Sequence, residues 1–229
     1  MTTENIILIH GALGSSRQLD SLKEKLSASF DVFSFDLEGH GGRPSNNAFN
    51  MALFCRNLHS FMESHNLNSA HLFGYSMGGY IALTYANLYP EQTGKIITLG
   101  TKFHWTPESA AAEIRQLDPE KITEKVPQFA ETLAAVHGVE SWKGVVTKTA
   151  DMMHRLGNGE ALTITEMSQV KHEVLLLLGE NDKMVTREET EDAFGSLPHA
   201  NIQIIPDAKH PIESVDPTML ATVIRNFTV

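Results

Sequence analysis

The chain has 229 residues, 41% of them hydrophobic and 20% charged. That make-up fits one soluble globular domain, or one domain with a sizeable insertion. The net charge of −10 argues against nucleic acid or an anionic membrane as a main partner. The lone cysteine, Cys55, excludes an intramolecular disulfide framework and, in a helical run, reads as buried filler. Met1 to Asn5 carries Glu4 and no basic residue, and no apolar run is long enough to span a bilayer, so a cytoplasmic protein is expected.

Ile6-Ile7-Leu8-Ile9 is a short apolar run rich in β-branched residues, as expected of a strand buried on both faces. It breaks at His10-Gly11-Ala12-Leu13-Gly14, after which Ser15 or Ser16 can cap a helix through about Leu26. Val32 to Phe35 is a second strand, ending in the loop Asp36-Leu37-Glu38-Gly39-His40-Gly41-Gly42-Arg43-Pro44-Ser45. A helix from about Asn50 to His65 follows, then a third strand over His71 to Phe73. Lys95 to Gly100, Val174 to Gly179 and Ile202 to Ile205 are further strands, and a helix over about Thr218 to Phe227 ends the chain. Strands alternating with helices predict a mostly parallel sheet of about six strands, covered on both faces, with the ligand site beyond the carboxyl ends of the strands.

The alternation breaks once. Between Gly100 and Val174 the pattern gives only helices, around Pro107 to Gln116, Pro127 to His137 and Trp142 to Leu156. The expected organisation is a core over residues 1–100 and 168–229 with a small helical cap inserted at 101–167. The large apolar residues of that segment, among them Phe103, Phe129 and Met167, make a small core of their own on the plainer reading. On the sharper one Trp105, Trp142, Met152 and Met153 line a substrate pocket.

Gly74-Tyr75-Ser76-Met77-Gly78-Gly79 sits between the third strand and a helical run, Tyr80 to Ala86. A G-x-S-x-G string in that setting is a nucleophile elbow: the serine sits on a strained turn, and the glycines let strand and helix approach. A serine hydroxyl needs a base, and the base needs an orienting carboxylate. An acid and then a histidine follow in that order, Asp182 after the fifth strand and His210 after the sixth. Glu180 and Asp207 are the rival acids; Asp182 is preferred because it lies deeper in its loop and is short enough for a tight contact. His199 precedes the last strand, at its wrong end. The backbone N–H groups of Met77 and Ala12 are the expected oxyanion donors.

On these residues the chain resembles the α/β-hydrolase fold family. The carriers are His10-Gly11, the Asp36 to Gly41 loop, the elbow, Asp182 and His210, and the match runs over nearly the whole chain. The resemblance implies a Ser–His–Asp hydrolase of esters, thioesters or related acyl bonds, with a helical cap after the strand ending near Gly100. The expected enzyme is thus a carboxylesterase-like serine hydrolase acting on a small-molecule acyl substrate through an acyl-enzyme. A C–C bond hydrolase or lyase, and a non-catalytic small-molecule sensor, are the alternatives.

The chain departs from the family pattern in four places. Few residues precede Ile6, Glu38 stands where many relatives have proline or a basic residue, and Ala208-Lys209 replaces glycines before His210. Tyr80 occupies the position where menaquinone-pathway lyases of the fold carry arginine. A dinucleotide site fits poorly, because Gly11-Ala12-Leu13-Gly14 is not G-x-G-x-x-G. No histidine–carboxylate cluster has ligand spacing, so no metal or organic cofactor is expected.

Overall fold

A computed structural model describes residues 4–228; the expectation drawn from Met1 to Thr3 lies outside them. Six strands form one sheet in the order β2-β1-β3-β4-β5-β6, every pair parallel. They are β1 (Glu4–Ile9), β2 (Phe30–Ser34), β3 (Ala70–Tyr75), β4 (Thr93–Leu99), β5 (Val174–Gly179) and β6 (Ala200–Ile205). Each agrees with a predicted strand to within a few residues.

Helices cover both faces, and the strand residues divide accordingly. Ile7, Ile9, Leu72, Ile96, Val174 and Leu176 share one core with α2 (Met51–Ser64), α3 (Met77–Leu88) and α9 (Arg187–Ser196). Ile6, Leu8, Phe73, Ile97, Leu175 and Leu177 share the other with α1 (Asp20–Leu26) and α10 (Pro217–Thr228). Successive side chains of a strand point to opposite faces, so a sheet covered twice needs apolar residues at both parities. That is why β1 and β5 read as unbroken apolar runs.

One cap differs from expectation. Ser15 makes no side-chain capping bond, and a 3₁₀ turn (Ser16–Leu19) precedes α1. Asp36 takes over that role from across the sheet edge, its Oδ1 accepting from Ser16 N–H at 2.7 Å. Asn50 caps α2, accepting from Leu53 N–H at 2.7 Å.

Between β4 and β5 the chain forms α4 (Pro107–Ile114), α5 (Pro119–Lys125), α6 (Pro127–His137), α7 (Trp142–Arg155) and α8 (Ile164–Gln169). The short α5 and α8 escape a reading by periodicity because six or seven residues show less than two turns of pattern. Ile122, Ala130, Leu133, Trp142 and Val146 form a satellite core here, while Met152, Leu156 and Met167 join the main one.

The topology fixes where a site can form. From β1 the chain moves outward to β2, then crosses to β3 on the other side of β1. The loops leaving β1 and β3 therefore diverge from adjacent strand ends, Ile9 pairing in register with Gly74. In open parallel sheets this switch point is where ligands bind.

Candidate active site

Ser76 holds φ 51° and ψ −117°, between the last residue of β3 and the first of α3. Such a backbone costs a non-glycine residue about 1–3 kcal/mol and persists only where its surroundings enforce it. Here the Ser76 N–H donates to Leu99 O at 2.8 Å, fastening the turn to β4. The elbow glycines are demanded by contact. A Cβ on Gly74 would lie 2.2 Å from Gly79 N, and one on Gly78 2.2 Å from Ile9 O.

Asp182 and His210 come from the loops after β5 and β6 and meet there. His210 Nδ1 lies 2.8 Å from Asp182 Oδ2, and the Asp182 side chain is almost fully enclosed. The other oxygen, Oδ1, accepts from the N–H groups of Met184 at 2.8 Å and Val185 at 2.9 Å. Burial alone would raise this carboxyl, but the bonds from His210, Val185 and Met184 outweigh it and hold it below the usual aspartate range. A carboxylate can only accept, so Nδ1 carries the imidazole proton and Nε2 keeps its lone pair. Gly100, at φ 58°, closes over the pair; a Cβ there would sit 3.2 Å from Asp182 Oδ2.

The rival residues do other work. Glu180 is exposed and accepts from Asp207 N–H at 3.0 Å, bracing the β6 loop. His199 is exposed at the opposite end of β6.

Ser76 and His210 line a common cavity in two parts. A narrow apolar chamber of about 50 Å³ is walled by Met51, Met77, Tyr80, Trp105, Met152 and Leu156, with Lys102 and Glu113 the charged groups in its lining. A wider groove of about 620 Å³ runs from the same Ser76 and His210 past Leu13, Arg115, Lys121, Lys125 and Phe129. Ala12 borders both parts. Among the described residues, neither Ala12 N–H nor Met77 N–H donates to a protein acceptor. Trp105, Met152 and Met153 line the cavity. Trp142 does not: it is buried in the satellite core, among Ile122, Ala130 and Leu133.

Sequence reasoning missed Tyr80 and Lys102 as lining residues. Tyr80 was legible as the third residue beyond Met77 on α3, nearly one helical turn from the elbow. Lys102 follows β4 directly at the carboxyl edge of the sheet. Its ammonium lies 3.6 Å from Glu113 on α4 and 3.5 Å from Glu189 on α9, a pairing between a loop and two distant helices that no local pattern announces.

A family model described as alpha/beta hydrolase fold matches residues 4–141. The chain belongs to the alpha/beta hydrolase fold family. Esterase YbfF of Escherichia coli is 22% identical over 97% of this hydrolase-fold chain and 92% of its own length. Abhydrolase domain-containing protein C22H12.03 of Schizosaccharomyces pombe is 29% identical over 96 residues; the match covers 41% of the chain and only 36% of that longer protein. Among solved structures, 2-hydroxy-6-oxo-6-phenylhexa-2,4-dienoate hydrolase from Rhodococcus sp. strain RHA1 superposes with a TM-score of 0.82 at 17% identity. That match covers 98% of this chain and 90% of that one. These relatives support a hydrolase on the shared fold. Among the described residues, no helix is long and apolar enough to cross a membrane.

Proposed function

We propose that this chain is a serine hydrolase that cleaves a small ester or thioester through an acyl-enzyme. The observation that carries the reading is the 2.8 Å Asp182–His210 contact at a cavity that also holds Ser76 on its strained turn. His210 Nε2 takes the Ser76 hydroxyl proton as Oγ bonds to the substrate carbonyl carbon. The carbonyl electron pair moves onto oxygen, facing the N–H groups of Ala12 and Met77. Collapse expels the alcohol or thiol, which receives the proton from His210. Water then repeats the sequence, giving up its proton to His210 and releasing the acid from Ser76.

The narrow apolar chamber has room for only a few water-sized groups, which favours a short apolar acyl group. The wider groove takes the leaving group. Its Arg115 and Lys125 have no carboxylate partner among the described residues; Lys121 pairs with Asp118 at 3.2 Å. In a chain of net charge −10, this local excess of cations favours a leaving group bearing a carboxylate or phosphate.

A panel of esters and thioesters graded by acyl length tests the reading. Turnover is expected to peak at short acyl chains and to fall once the chamber is full. A flat, negligible response with Ser76 still reactive toward a serine-directed probe would move the assignment to a C–C bond hydrolase or lyase. No reaction with the probe would leave a non-catalytic sensor.

A further inference from the structure

Three histidines that play no part in the proton transfers lie together under the loop that leaves β1. His10, His40 and His137 are each at most 1% exposed, with ring centroids 5.1 Å apart for His10–His40 and 5.6 Å for His40–His137. Two of them grip the loop. The tautomer of each is fixed by a backbone N–H, which can only donate. Leu37 N–H donates to His10 Nε2 at 3.1 Å, so Nδ1 carries the proton and donates to Gly11 O at 2.8 Å. Gly41 N–H donates to His137 Nδ1 at 3.1 Å, so Nε2 carries the proton and donates to Leu13 O at 3.0 Å.

Those two carbonyls bracket Ala12. The Gly11 carbonyl and the Ala12 N–H belong to one planar trans peptide, where oxygen and hydrogen point opposite ways. Holding Gly11 O therefore aims the Ala12 N–H away from His10. On the far side, Leu13 sits at φ 56°, a conformation that costs a branched, non-glycine residue about 1–2 kcal/mol. Gly14 N–H closes the turn onto Gly11 O at 3.2 Å, and the bond from His137 holds the strained residue from outside.

We infer that His137 is a positioning residue for the oxyanion loop, through which the helical segment between β4 and β5 keeps the Ala12 N–H in its working orientation. His137 ends α6 and is 124 residues from Leu13 in sequence. The loop that supplies one oxyanion donor is thus anchored to the same segment that walls the cavity. A shift of α6 withdraws the donor that restrains Leu13, so displacement of this segment loosens the turn that presents the Ala12 N–H. The charged and titratable groups facing His137 are Asp36, His10 and His40. Burial holds all three imidazoles below their ordinary range, His10 at about 4, despite the opposing pull of Asp36 on His10 and His137. The clamp is therefore in its neutral, gripping form at neutral pH.

The inference rests on the proposed hydrolase reading, and its test separates the two. On an ester turned over by the wild type, His137→Phe keeps the volume but loses the donor, and is expected to lower kcat at least tenfold with KM within about twofold. His137→Gln keeps a donor toward Leu13 and should recover most of that loss. Equal kcat in wild type and His137→Phe, or no recovery by His137→Gln, would overturn the inference. Hydrogen exchange at Gly14 N–H reads the loop without catalysis. It should quicken in His137→Phe while the amides of β3 and β4 hold, and it should stay near wild type in His137→Gln. Unchanged Gly14 exchange in His137→Phe refutes the clamp even if no ester is ever turned over. If His137→Phe does not fold, exchange and kcat in His137→Gln against His137→Ala decide in the same way.

Discussion

His210 Nδ1 stands 2.8 Å from Asp182 Oδ2, while Asp182 Oδ1 is held separately by the N–H groups of Met184 and Val185. The carboxylate is thus clamped at one oxygen and offers the other to the imidazole. Asp182→Asn separates these duties. Asparagine can keep an oxygen toward Met184 and Val185, but it turns an NH₂ toward His210 and forces the ring proton onto Nε2, where the base is needed. The expected result is a fall in kcat of roughly a thousand- to ten-thousand-fold with the fold retained, read by steady-state kinetics beside circular dichroism. Wild-type kcat in Asp182→Asn would move the acid's role to another residue.

The cationic groove makes a second prediction. Two esters of one short acid, with neutral and with anionic alcohols, should differ in kcat/KM in favour of the anion, and the preference should shrink as salt is raised. Replacing Arg115, Lys121 and Lys125 together by glutamine should remove the preference and leave the neutral ester nearly unaffected. Carboxylate- and phosphate-bearing alcohols run side by side separate the two sources of charge. A preference that survives the triple replacement contradicts the assigned wall.

Stability should fall in mild acid because of the buried histidines. His10 has a folded pKa of about 4 against an ordinary value near 6.5, so between those values the unfolded chain binds the proton that the folded chain refuses. Its contribution is fully present above pH 6.5 and is lost as pH falls toward 4, by about 3 kcal/mol in all. His40 and His137 shift in the same direction and add to the slope. Urea denaturation at steps from pH 7 to pH 4 measures it, and His10→Asn should flatten the curve. A wild-type stability independent of pH across that range would contradict the buried, neutral assignment.

Much of this was legible in the sequence because it depends on local pattern. The strands announce themselves by apolar runs, and the elbow by Gly74, Ser76 and Gly78, where the chain tolerates no side chain at the glycines. Asp182 and His210 could be placed at one sheet edge from strand order alone. What could not be read was contact between distant segments. Asp36 replaces Ser15 as the cap of the first helical turn, Trp142 turns into a satellite core and away from the cavity, and His137 reaches back 124 residues to Leu13. The first joins the turns after β1 and β2, and the other two depend on how α4 to α8 pack; helix periodicity says which face is apolar without saying what that face meets.

The central claim is that Ser76 is the nucleophile, and covalent labelling tests it most directly. Wild-type protein treated with a serine-directed phosphonate should gain the mass of one probe, mapped to Ser76, and lose its ester turnover in step. Ser76→Ala should fold, take up no probe and show no turnover above background. Probe uptake or wild-type turnover by Ser76→Ala would contradict the account.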